Sequence, residues 1–262
     1  ASFSETTKEQ YTKGFDHIKQ ALAKGEIEKA VLSRTKEVRC EITPLELFYR
    51  LNEAYSTTFN YILQIEDRDC WLAATPELLV RRNSDCVSSM ALAGTKPADG
   101  DSEWTTKEYH EQEVVTQQIQ ANYADSGYQE IQTDGPNTIR SGYVEHLQTL
   151  ISARDTDNEN FNLLLEKLHP TPAVCGYPTD DAKKIISQAE QHERELYTGY
   201  IGITTEENEQ YFVNLRCMKL RTQSALLYLG GGITKGSEME SEWQETENKA
   251  RTLTSLIEKS KL

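Results

Sequence analysis

Long apolar runs, paired cysteines and excess basic charge are all missing from this sequence. No stretch reaches the about 18 consecutive apolar residues that a membrane helix needs, and the first residues lack the pattern of a signal peptide. The five cysteines are dispersed without a Cys-x-x-Cys pair, which argues against a disulfide framework and favours reduced thiols in the cytoplasm. Lysine and arginine number 28 against 42 aspartates and glutamates, and the net charge of −14 argues against a nucleic acid partner. With 262 residues and no internal repeats, the chain is expected to form one large domain or two small ones.

The most informative stretch runs from Tyr228 to Lys249. A short apolar strand leads into three glycines at 230–232, and then into a polar turn and a helix. Consecutive glycines let backbone amides approach a ligand closely, and such amides can form an anion-binding concavity. Ser237 is predicted to cap the helix with Glu240 as its capping-box partner. On local pattern alone, a glycine-rich hairpin before a solvated acidic helix explains the stretch equally well.

Two predicted helices carry pairs of glutamates at helical spacing. Glu242 and Glu245 are three residues apart, as are Glu108 and Glu111 in the helix predicted at 104–123. Residues at this spacing lie on one face of a helix, so both pairs could contribute carboxylates to a Mg²⁺ site. In a chain with 27% charged residues such pairs also arise often by chance, so the spacing alone is weak support.

Three further residues have both a structural and a functional interpretation. Lys29 stands at the entrance of a predicted strand, where lysine is usually an exposed edge residue. Arg216 lies between apolar neighbours in a strand pattern and needs an anionic partner, from the protein or from a ligand. His169 precedes a proline-rich turn, where a lone histidine is more often structural than catalytic.

The remaining pattern predicts an alternation of amphipathic helices and short strands. Helices are predicted at 8–24, 44–55, 161–168 and 179–194, and Gly25 is predicted to end the first of them. His192 and Arg194 would then lie near the end of the last helix, where they suit its macrodipole. Between 59 and 97, short strands separated by turn residues indicate an antiparallel meander.

Several segments match one enzyme family in order along the whole chain. They are Lys29-Ala-Val-Leu-Ser-Arg, Thr75-Pro-Glu-Leu-Leu-Val, Ala91-Leu-Ala-Gly-Thr, Lys107-Glu-Tyr-His-Glu, Leu168-His-Pro-Thr-Pro-Ala-Val-Cys-Gly, Arg194-Glu-Leu-Tyr-Thr-Gly, Phe212-Val-Asn-Leu-Arg, Gly230-Gly-Gly-Ile and Glu242-Trp-Gln-Glu. On these motifs the chain resembles the chorismate-utilising enzymes, which include isochorismate, salicylate, anthranilate and aminodeoxychorismate synthases. So many motifs in the same order make the resemblance highly specific.

Within that family the chain looks most like an isochorismate synthase. Aminating members carry a threonine where this chain has Ala173, and aminodeoxychorismate synthases carry a nucleophilic lysine where it has Ala93. Both differences favour water over ammonia or lysine as the attacking group. An amine-forming relative that needs a glutaminase partner remains the alternative, and the motifs do not exclude an additional salicylate-forming lyase activity.

The resemblance implies an α/β fold in which two antiparallel sheets pack face to face with helices outside, as in anthranilate synthase component I. Residues 1–262 would form a single catalytic domain, with the family's N-terminal region absent or shortened. It further implies chorismate as substrate and Mg²⁺ as cofactor. The resemblance leaves open the oligomeric state, with a monomer as one option, and the choice between menaquinone and siderophore pathways.

The resemblance also assigns roles to individual residues. Mg²⁺ would bind the ring carboxylate, held by Glu111 and Glu245 with Glu108 and Glu242 close by. Lys29 would be the general base that activates water, and this requires a pKa depressed by burial or by cationic neighbours. His169 would line the ring pocket, and Lys249 would support the carboxylate sites. The other substrate-binding positions implied are Ala93, Gly94, Thr95, Ala173, Tyr197, Arg216 and the amides of Gly231 and Gly232.

Met90 departs from the pattern that the resemblance implies. Isochorismate synthases are expected to have a glutamate directly before Ala-Leu-Ala-Gly-Thr, where it protonates the departing C4 hydroxyl, and methionine cannot transfer a proton. Three explanations stay open. Glu77, His146 or a bound water takes the role, the enzyme is slow, or the chain binds chorismate without converting it.

Overall fold

The computed structural model describes residues 5–66, 69–83, 85–98, 103–141, 144–155 and 158–258. The helices in these ranges are α1 (Lys8–Lys24), α2 (Pro44–Ala54), α3 (Thr106–Asp125), α4 (Asn158–Leu168), α5 (Thr179–Ala189) and α6 (Met239–Glu258). The strands are β1 (Lys29–Arg39), β2 (Phe59–Ile65), β3 (Asp69–Thr75), β4 (Leu78–Asn83), β5 (Cys86–Pro97), β6 (Gln132–Ser141), β7 (Val144–Arg154), β8 (Gly176–Tyr177), β9 (Tyr200–Thr204), β10 (Asn208–Val213), β11 (Cys217–Leu220) and β12 (Ser224–Ile233).

Within the described ranges these strands form two antiparallel sheets of six strands each. The first sheet has the order β2-β3-β11-β12-β1-β8, and the second has the order β6-β7-β5-β4-β10-β9. Helices α1 and α5 pack on one half of the first sheet, α2 and α6 pack on the other half, and α3 and α4 cover the second sheet. The predicted fold class, two antiparallel sheets with helices outside, is confirmed.

Aromatic side chains fill part of the space between the two sheets. Trp71 stacks on Tyr228 with ring centroids 5.2 Å apart, and Tyr197 stacks on the same Tyr228 ring at 5.8 Å. Phe59 of β2 stacks on Phe212 of β10 at 4.3 Å, which joins the first sheet to the second. Because aromatic rings bury large apolar areas, this layer fixes the spacing of the sheets beside the cavity described below.

The boundaries of α1 agree with the sequence prediction because its caps are local. The Thr7 side chain accepts a hydrogen bond from the Gln10 amide, and Gln10 completes the capping box. Gly25 adopts the left-handed conformation, with φ of 75°, that ends the helix. The helix predicted at 104–123 is also found, shifted by two residues, because Thr105 forms a capping box with Glu108.

Helix α5 ends five residues earlier than predicted. Glu190 is extended, and its carboxylate accepts hydrogen bonds from the Ser33 amide at 2.7 Å and from Arg194 at 2.6 Å. Arg194 also donates to the carbonyl oxygens of Val31 and Val174. These contacts hold the segment after Glu190 against β1, so Arg194 lies outside the helix. The same holds for His192, and the predicted macrodipole interaction of both residues is wrong.

The glycines at 230–232 lie inside β12, and the predicted polar turn follows them, before α6. Gly231 pairs with Leu32 and Gly232 pairs with Val31, so their backbones belong to the β12–β1 ladder and form no separate concavity of amides in a turn. The predicted cap is also wrong, because the Ser237 hydroxyl accepts from the Thr234 amide and α6 begins at Met239. Because these glycines have no Cβ, they leave space beside β12 for side chains from other elements.

Two features expected from the composition are found in the structure. All five cysteines are free. No helix in the described part of the chain has the length and apolarity needed to cross a membrane.

The fully buried Arg34 pairs with Glu247 and lies 4.1 Å above the Trp243 ring, so its charge is compensated where β1 meets α6.

Candidate active site

A cavity opens between the two sheets, beside the aromatic layer. Its walls come from β1, β5, β12, α3 and α6, and from the segments that precede β4, β8 and β11. All the residues predicted to bind substrate lie along it: Ala93, Gly94, Thr95, Ala173, Tyr197, Arg216, Gly231, Gly232 and Lys249. Gly94, at φ of 64°, forms a bulge in β5 at which the strand register shifts, and this bulge lies in the cavity wall.

The three glycines of β12 make room for side chains from other elements. A Cβ added at Gly232 would lie 2.5 Å from Oε1 of Glu111 and 2.9 Å from Cε of Lys29. A Cβ at Gly230 would lie 2.6 Å from the Tyr197 hydroxyl. The backbone of this part of β12 is not covered by its own side chains, so the side chains of Lys29, Glu111 and Tyr197 approach it closely.

Three of the four predicted metal ligands converge on this surface, and each is paired with a lysine. The Nζ–Oε1 distances are 2.8 Å for Lys29–Glu111, 2.7 Å for Lys107–Glu242 and 2.7 Å for Lys249–Glu245. We call these six side chains the acid–lysine cluster. The fourth residue, Glu108, is not part of it, because its carboxylate accepts the Thr105 amide at 2.9 Å and caps α3.

Burial and charge act in opposite directions on these carboxylates. For Glu111, burial acts to raise the pKa, but Lys29, with help from Lys107 and Lys249, outweighs burial and leaves the pKa below its usual value. For Glu242, burial and the neighbouring Glu245 carboxylate raise the pKa, while Lys107 opposes them. Charged carboxylates in this cluster therefore depend on cations beside them.

The donor set of the cluster suits a hard divalent cation. As the side chains lie, no group of three or more His, Cys, Asp or Glu in the described ranges is arranged to hold a metal ion, since each carboxylate faces a lysine. The three carboxylates nevertheless offer the oxygen ligands that Mg²⁺ prefers. Oε2 of Glu242 is buried and receives no hydrogen bond of normal geometry from a described residue. The Ser237 hydroxyl nevertheless lies near enough to the Glu242 carboxylate to act to lower the pKa of Glu242. Glu111, Glu242 and Glu245 therefore fit Mg²⁺ in the type of their donor atoms.

Lys29 begins β1 and is 2% exposed. Its amine lies against Glu111, which lines the cavity, and beneath Gly232. Of the two interpretations of Lys29, the exposed edge residue does not apply, because β1 lies between β12 and β8 in the first sheet. A buried lysine at the wall of a cavity is an uncommon feature that marks candidate functional sites.

Glu77 is a second buried ionisable group at the cavity. It lies in the connection between β3 and β4, is 2% exposed, and accepts the Val213 amide at its carbonyl oxygen. Burial raises the pKa of Glu77 to about 8, against the opposing charges of Lys29 and Lys249. A carboxyl group with this pKa is protonated at neutral pH and can donate a proton.

His146 also lines the cavity but is held as a neutral ring. Burial, and then Arg216 and Lys249, lower its pKa well below the usual value. Its Nε2 lies 2.9 Å from Nη2 of Arg216, and its Nδ1 lies 3.2 Å from the Gly94 carbonyl oxygen. Because the guanidinium can only donate and the carbonyl can only accept, Nδ1 carries the proton. His146 therefore positions Arg216 and has no proton to give towards the cavity.

Met90 is not part of the cavity wall. It is half-buried on β5, opposite Leu150, and its sulfur accepts a hydrogen bond from Gln148 at 3.3 Å. The first β5 residue that lines the cavity is Leu92. A side chain at position 90 therefore does not line the cavity in which the predicted substrate-binding positions lie.

His169 does not line the cavity, which corrects the prediction that it borders the ring pocket. Its Nε2 donates to the Thr198 carbonyl oxygen at 2.8 Å, and its ring packs edge-on against Tyr200 at 5.0 Å. It borders a separate groove with His192 and Arg194. This is the structural role that is usual for a histidine in a proline-rich turn.

Sequence reasoning missed some residues of the site. Lys107 belongs to the acid–lysine cluster, and the signal for it was its place directly before Glu108 in the second glutamate-bearing helix. Tyr228 and Leu215 line the cavity, but in the sequence they read as ordinary strand and loop residues. Their role depends on the sheet-to-sheet packing, which no local pattern encodes.

Comparisons with known proteins agree on one family. Residues 1–258 match the family described as chorismate binding enzyme. Isochorismate synthase EntC from Escherichia coli (strain K12) is 31% identical over 241 residues, which cover 87% of this chain and 62% of the relative. Isochorismate synthase DhbC from Bacillus subtilis (strain 168) is 31% identical over 265 residues, covering 94% and 67%. The chain thus spans less than two thirds of the length of EntC.

Solved structures give the same result for the fold. MenF, the menaquinone-specific isochorismate synthase from Escherichia coli, superposes with a TM-score of 0.87 at 27% identity, covering 98% of this chain and 63% of MenF. Anthranilate synthase component I from Streptococcus pneumoniae superposes with a TM-score of 0.81 at 22% identity, covering 97% of this chain and 59% of the other, and this likeness concerns the fold alone. With the family match over residues 1–258, these similarities show that the chain belongs to the chorismate binding enzymes.

Proposed function

We propose that residues 1–262 act as one catalytic domain of a cytoplasmic, Mg²⁺-dependent isochorismate synthase. Water attacks ring C2 of chorismate, both ring double bonds shift (C1=C2 to C1=C6 and C5=C6 to C4=C5), and the C4–O bond breaks, so that the C4 hydroxyl leaves as water. The observation that carries the proposal is that a buried carboxyl, Glu77, lines the cavity, and a buried amine, Lys29, contacts Glu111 in the wall of the same cavity. This reaction needs one base and one acid at once.

Lys29 is the base in this proposal. The ammonium group that faces Glu111 first gives up a proton to solvent, and the free amine then accepts a proton from the attacking water; the contact with Glu111 and the backbone at Gly232 fixes its position. Because β1 is paired on both edges, the strand that carries Lys29 is held rigidly. A fixed base next to the nucleophile reduces the entropy lost on reaching the transition state.

Glu77 is the acid in this proposal. It donates its proton to the departing C4 hydroxyl, which would otherwise leave as the strongly basic hydroxide. The pKa of about 8 keeps the carboxyl group protonated at neutral pH, as this role demands. Glu77 thus takes the part that the family resemblance assigned to a glutamate at position 90.

Basic groups along the cavity bind the two carboxylates of chorismate. Burial lowers the pKa of Arg216 to about 10, so its guanidinium stays charged at neutral pH, and it can bind the enolpyruvyl carboxylate with help from the Tyr197 hydroxyl. Lys249 lies nearer the ring carboxylate. Glu111, Glu242 and Glu245 would hold Mg²⁺, which when bound supplies positive charge that orients and neutralises the ring carboxylate.

The side chains near the reacting carbon favour water as the nucleophile. Ala173 and Ala93 line the cavity where aminating relatives are expected to have a threonine and a lysine. Neither methyl group can hydrogen-bond ammonia or attack the ring. This is the feature that favours isochorismate synthesis over the amine-forming alternative.

Product analysis tests the proposal. Incubation of the protein with chorismate and Mg²⁺, followed by chromatography, is expected to yield isochorismate. The same incubation with ammonium salts is expected to give no aminated product, and such a product would contradict the proposal. Mg²⁺-dependent binding of chorismate by calorimetry without any product would equally contradict it, whereas salicylate in addition to isochorismate would reveal a lyase activity of the same site.

Gly232→Ala is expected to lower kcat by up to about 10²-fold without unfolding the protein. The new Cβ would lie 2.5 Å from Glu111 Oε1 and 2.9 Å from Lys29 Cε, so both side-chain ends must move. A shift of about 1 Å in a reacting group can cost this much in rate. Gly236→Ala is the control, because nothing lies within 4 Å of its added Cβ. Equal rates for the two variants would contradict the expectation.

A further inference from the structure

The acid–lysine cluster is electrically neutral as it stands. Three carboxylates face three ammonium groups, one to one, at 2.7–2.8 Å. A divalent cation that binds these carboxylates competes with the lysines, because a cation and an ammonium group held by the two oxygens of one carboxylate repel each other at close range. The lysine that gives way therefore influences the affinity for the metal.

Lys107 is the lysine that can leave at the lowest cost. Its side chain is 32% exposed, against 3% for Lys29 and 22% for Lys249. Lys249 is also tied to the Gly230 carbonyl oxygen at 3.0 Å. Moving a buried ammonium group to another buried place is costly, whereas a partly exposed one can turn into water and recover its hydration.

Its partner, Glu242, is a buried carboxylate whose negative charge has to be compensated when it is ionised. Glu242 is 1% exposed, its Oε1 accepts from Lys107 at 2.7 Å, and its Oε2 is buried without a hydrogen bond of normal geometry. Glu245 lies beside it. Oε2 of Glu242 and Oε1 of Glu245 would lie 3.5 and 3.6 Å from a Cβ added at Gly231. Two adjacent carboxylates of which one is deeply buried repel each other unless a cation is shared between them.

We infer that Lys107 is the internal counter-ion of Glu242 in the metal-free protein, and that the divalent cation enters by exchange with the Lys107 ammonium group. Lys107 turns into solvent, and the cation takes its place on Glu242 while contacting Glu111 and Glu245. This inference rests on the proposed function for the identity of the cation as Mg²⁺. It adds that Lys107, which contacts neither the substrate nor the reacting atoms, lowers the affinity of the site for the metal.

The test is the affinity of Lys107→Met for Mg²⁺ alone, measured by calorimetry without chorismate. An opposite charge within about 4–6 Å commonly shifts the preference of a carboxylate for its charged form by 1–3 pKa units. Loss of the competing cation should therefore tighten Mg²⁺ binding by about 10- to 1,000-fold. The melting temperature of Lys107→Met should fall without metal and recover on addition of Mg²⁺, which a purely structural ion pair would not produce.

Lys8→Met is the matched control. Lys8 binds Glu240 of the same helix at 2.7 Å, but both side chains are largely exposed and lie outside the cluster, so the variant changes the net charge equally. It should bind Mg²⁺ as the wild type does. Lys107→Arg, which keeps the cation, should show no tightening, and Lys107→Gln replaces the methionine variant if that fails to fold.

The inference is overturned if Lys107→Met and Lys107→Gln bind Mg²⁺ no more tightly than the wild type, or if Lys8→Met tightens binding equally. Because the readout is metal binding without substrate, it is independent of turnover. An absence of isochorismate with tightened Mg²⁺ binding would refute the proposed reaction and retain the exchange. Isochorismate formation without tighter Mg²⁺ binding would support the proposed reaction and refute the exchange.

Discussion

Lys29→Met is expected to lower kcat for isochorismate formation by about 10²–10⁴-fold, the range that a positioned general base contributes. Methionine has nearly the length of lysine, so the buried space beneath Gly232 stays filled while the amine is removed. Binding of chorismate, measured by calorimetry, should change far less than turnover. Full turnover by this variant would show that the proposed mechanism is wrong.

Two controls separate catalysis from folding in that experiment. Lys36→Met removes a lysine from the same strand, where Lys36 pairs with Glu247 at 2.5 Å outside the cavity, and it should retain turnover. Lys29→Met leaves Glu111 without its close partner, and such a loss can cost about 3–5 kcal/mol when a charge is buried. The double variant Lys29→Met, Glu111→Gln removes both charges, so its free energy of unfolding should lie nearer that of the wild type.

Glu77→Gln is expected to lower kcat by about 10²–10⁴-fold, because the amide has nearly the same shape and cannot donate a catalytic proton. The pH profile gives the second readout. In the wild type, kcat/KM should fall as pH rises through about 8, since the acid loses its proton there. The residual activity of Glu77→Gln should lack this decline. A variant with unchanged rate and unchanged profile would exclude Glu77 as the acid.

Stability measurements distinguish this role from a structural one. The pKa of Glu77 is raised on folding from about 4.3 in the unfolded chain to about 8, so the folded state holds the proton more tightly. Its contribution to stability is complete below pH ~4.3 and is lost as pH rises through 8. Glutamine does not titrate, so the free energy of unfolding of Glu77→Gln should rise relative to that of the wild type above pH 8. Met90→Gln, outside the cavity, should alter neither rate nor pH profile.

Much of the fold could be predicted because its signals are local. The first helix was placed from its apolar periodicity and from Gly25, and the structure adds the Thr7 capping box. The nine predicted substrate-binding positions and two of the four predicted metal ligands, Glu111 and Glu245, line one cavity, and Glu242 lies beside Glu245. These positions came from family motifs, and motif order is preserved when the chain folds in the same way.

The parts that could not be predicted depend on contacts between distant segments. Helix α5 ends early because Glu190 is drawn to Ser33, 157 residues away. The pattern around Met90 is that of a strand, but which residues of the strand border the cavity depends on the bulge at Gly94. Glu108 and Glu111 share a helix, yet the capping contact with Thr105 takes the first of them out of the cluster. Local sequence carries no information about such competition.

The walls of the cavity come from both ends of the described chain. Lys29 stands on the first strand, Glu77 and Glu111 come from the middle, and Glu245 comes from the last helix. Contacts between such distant segments form late and slowly in folding. A fragment that lacks either end of the described chain therefore lacks part of the cavity wall, and the proposed turnover would report that the two ends of a newly synthesised molecule have met.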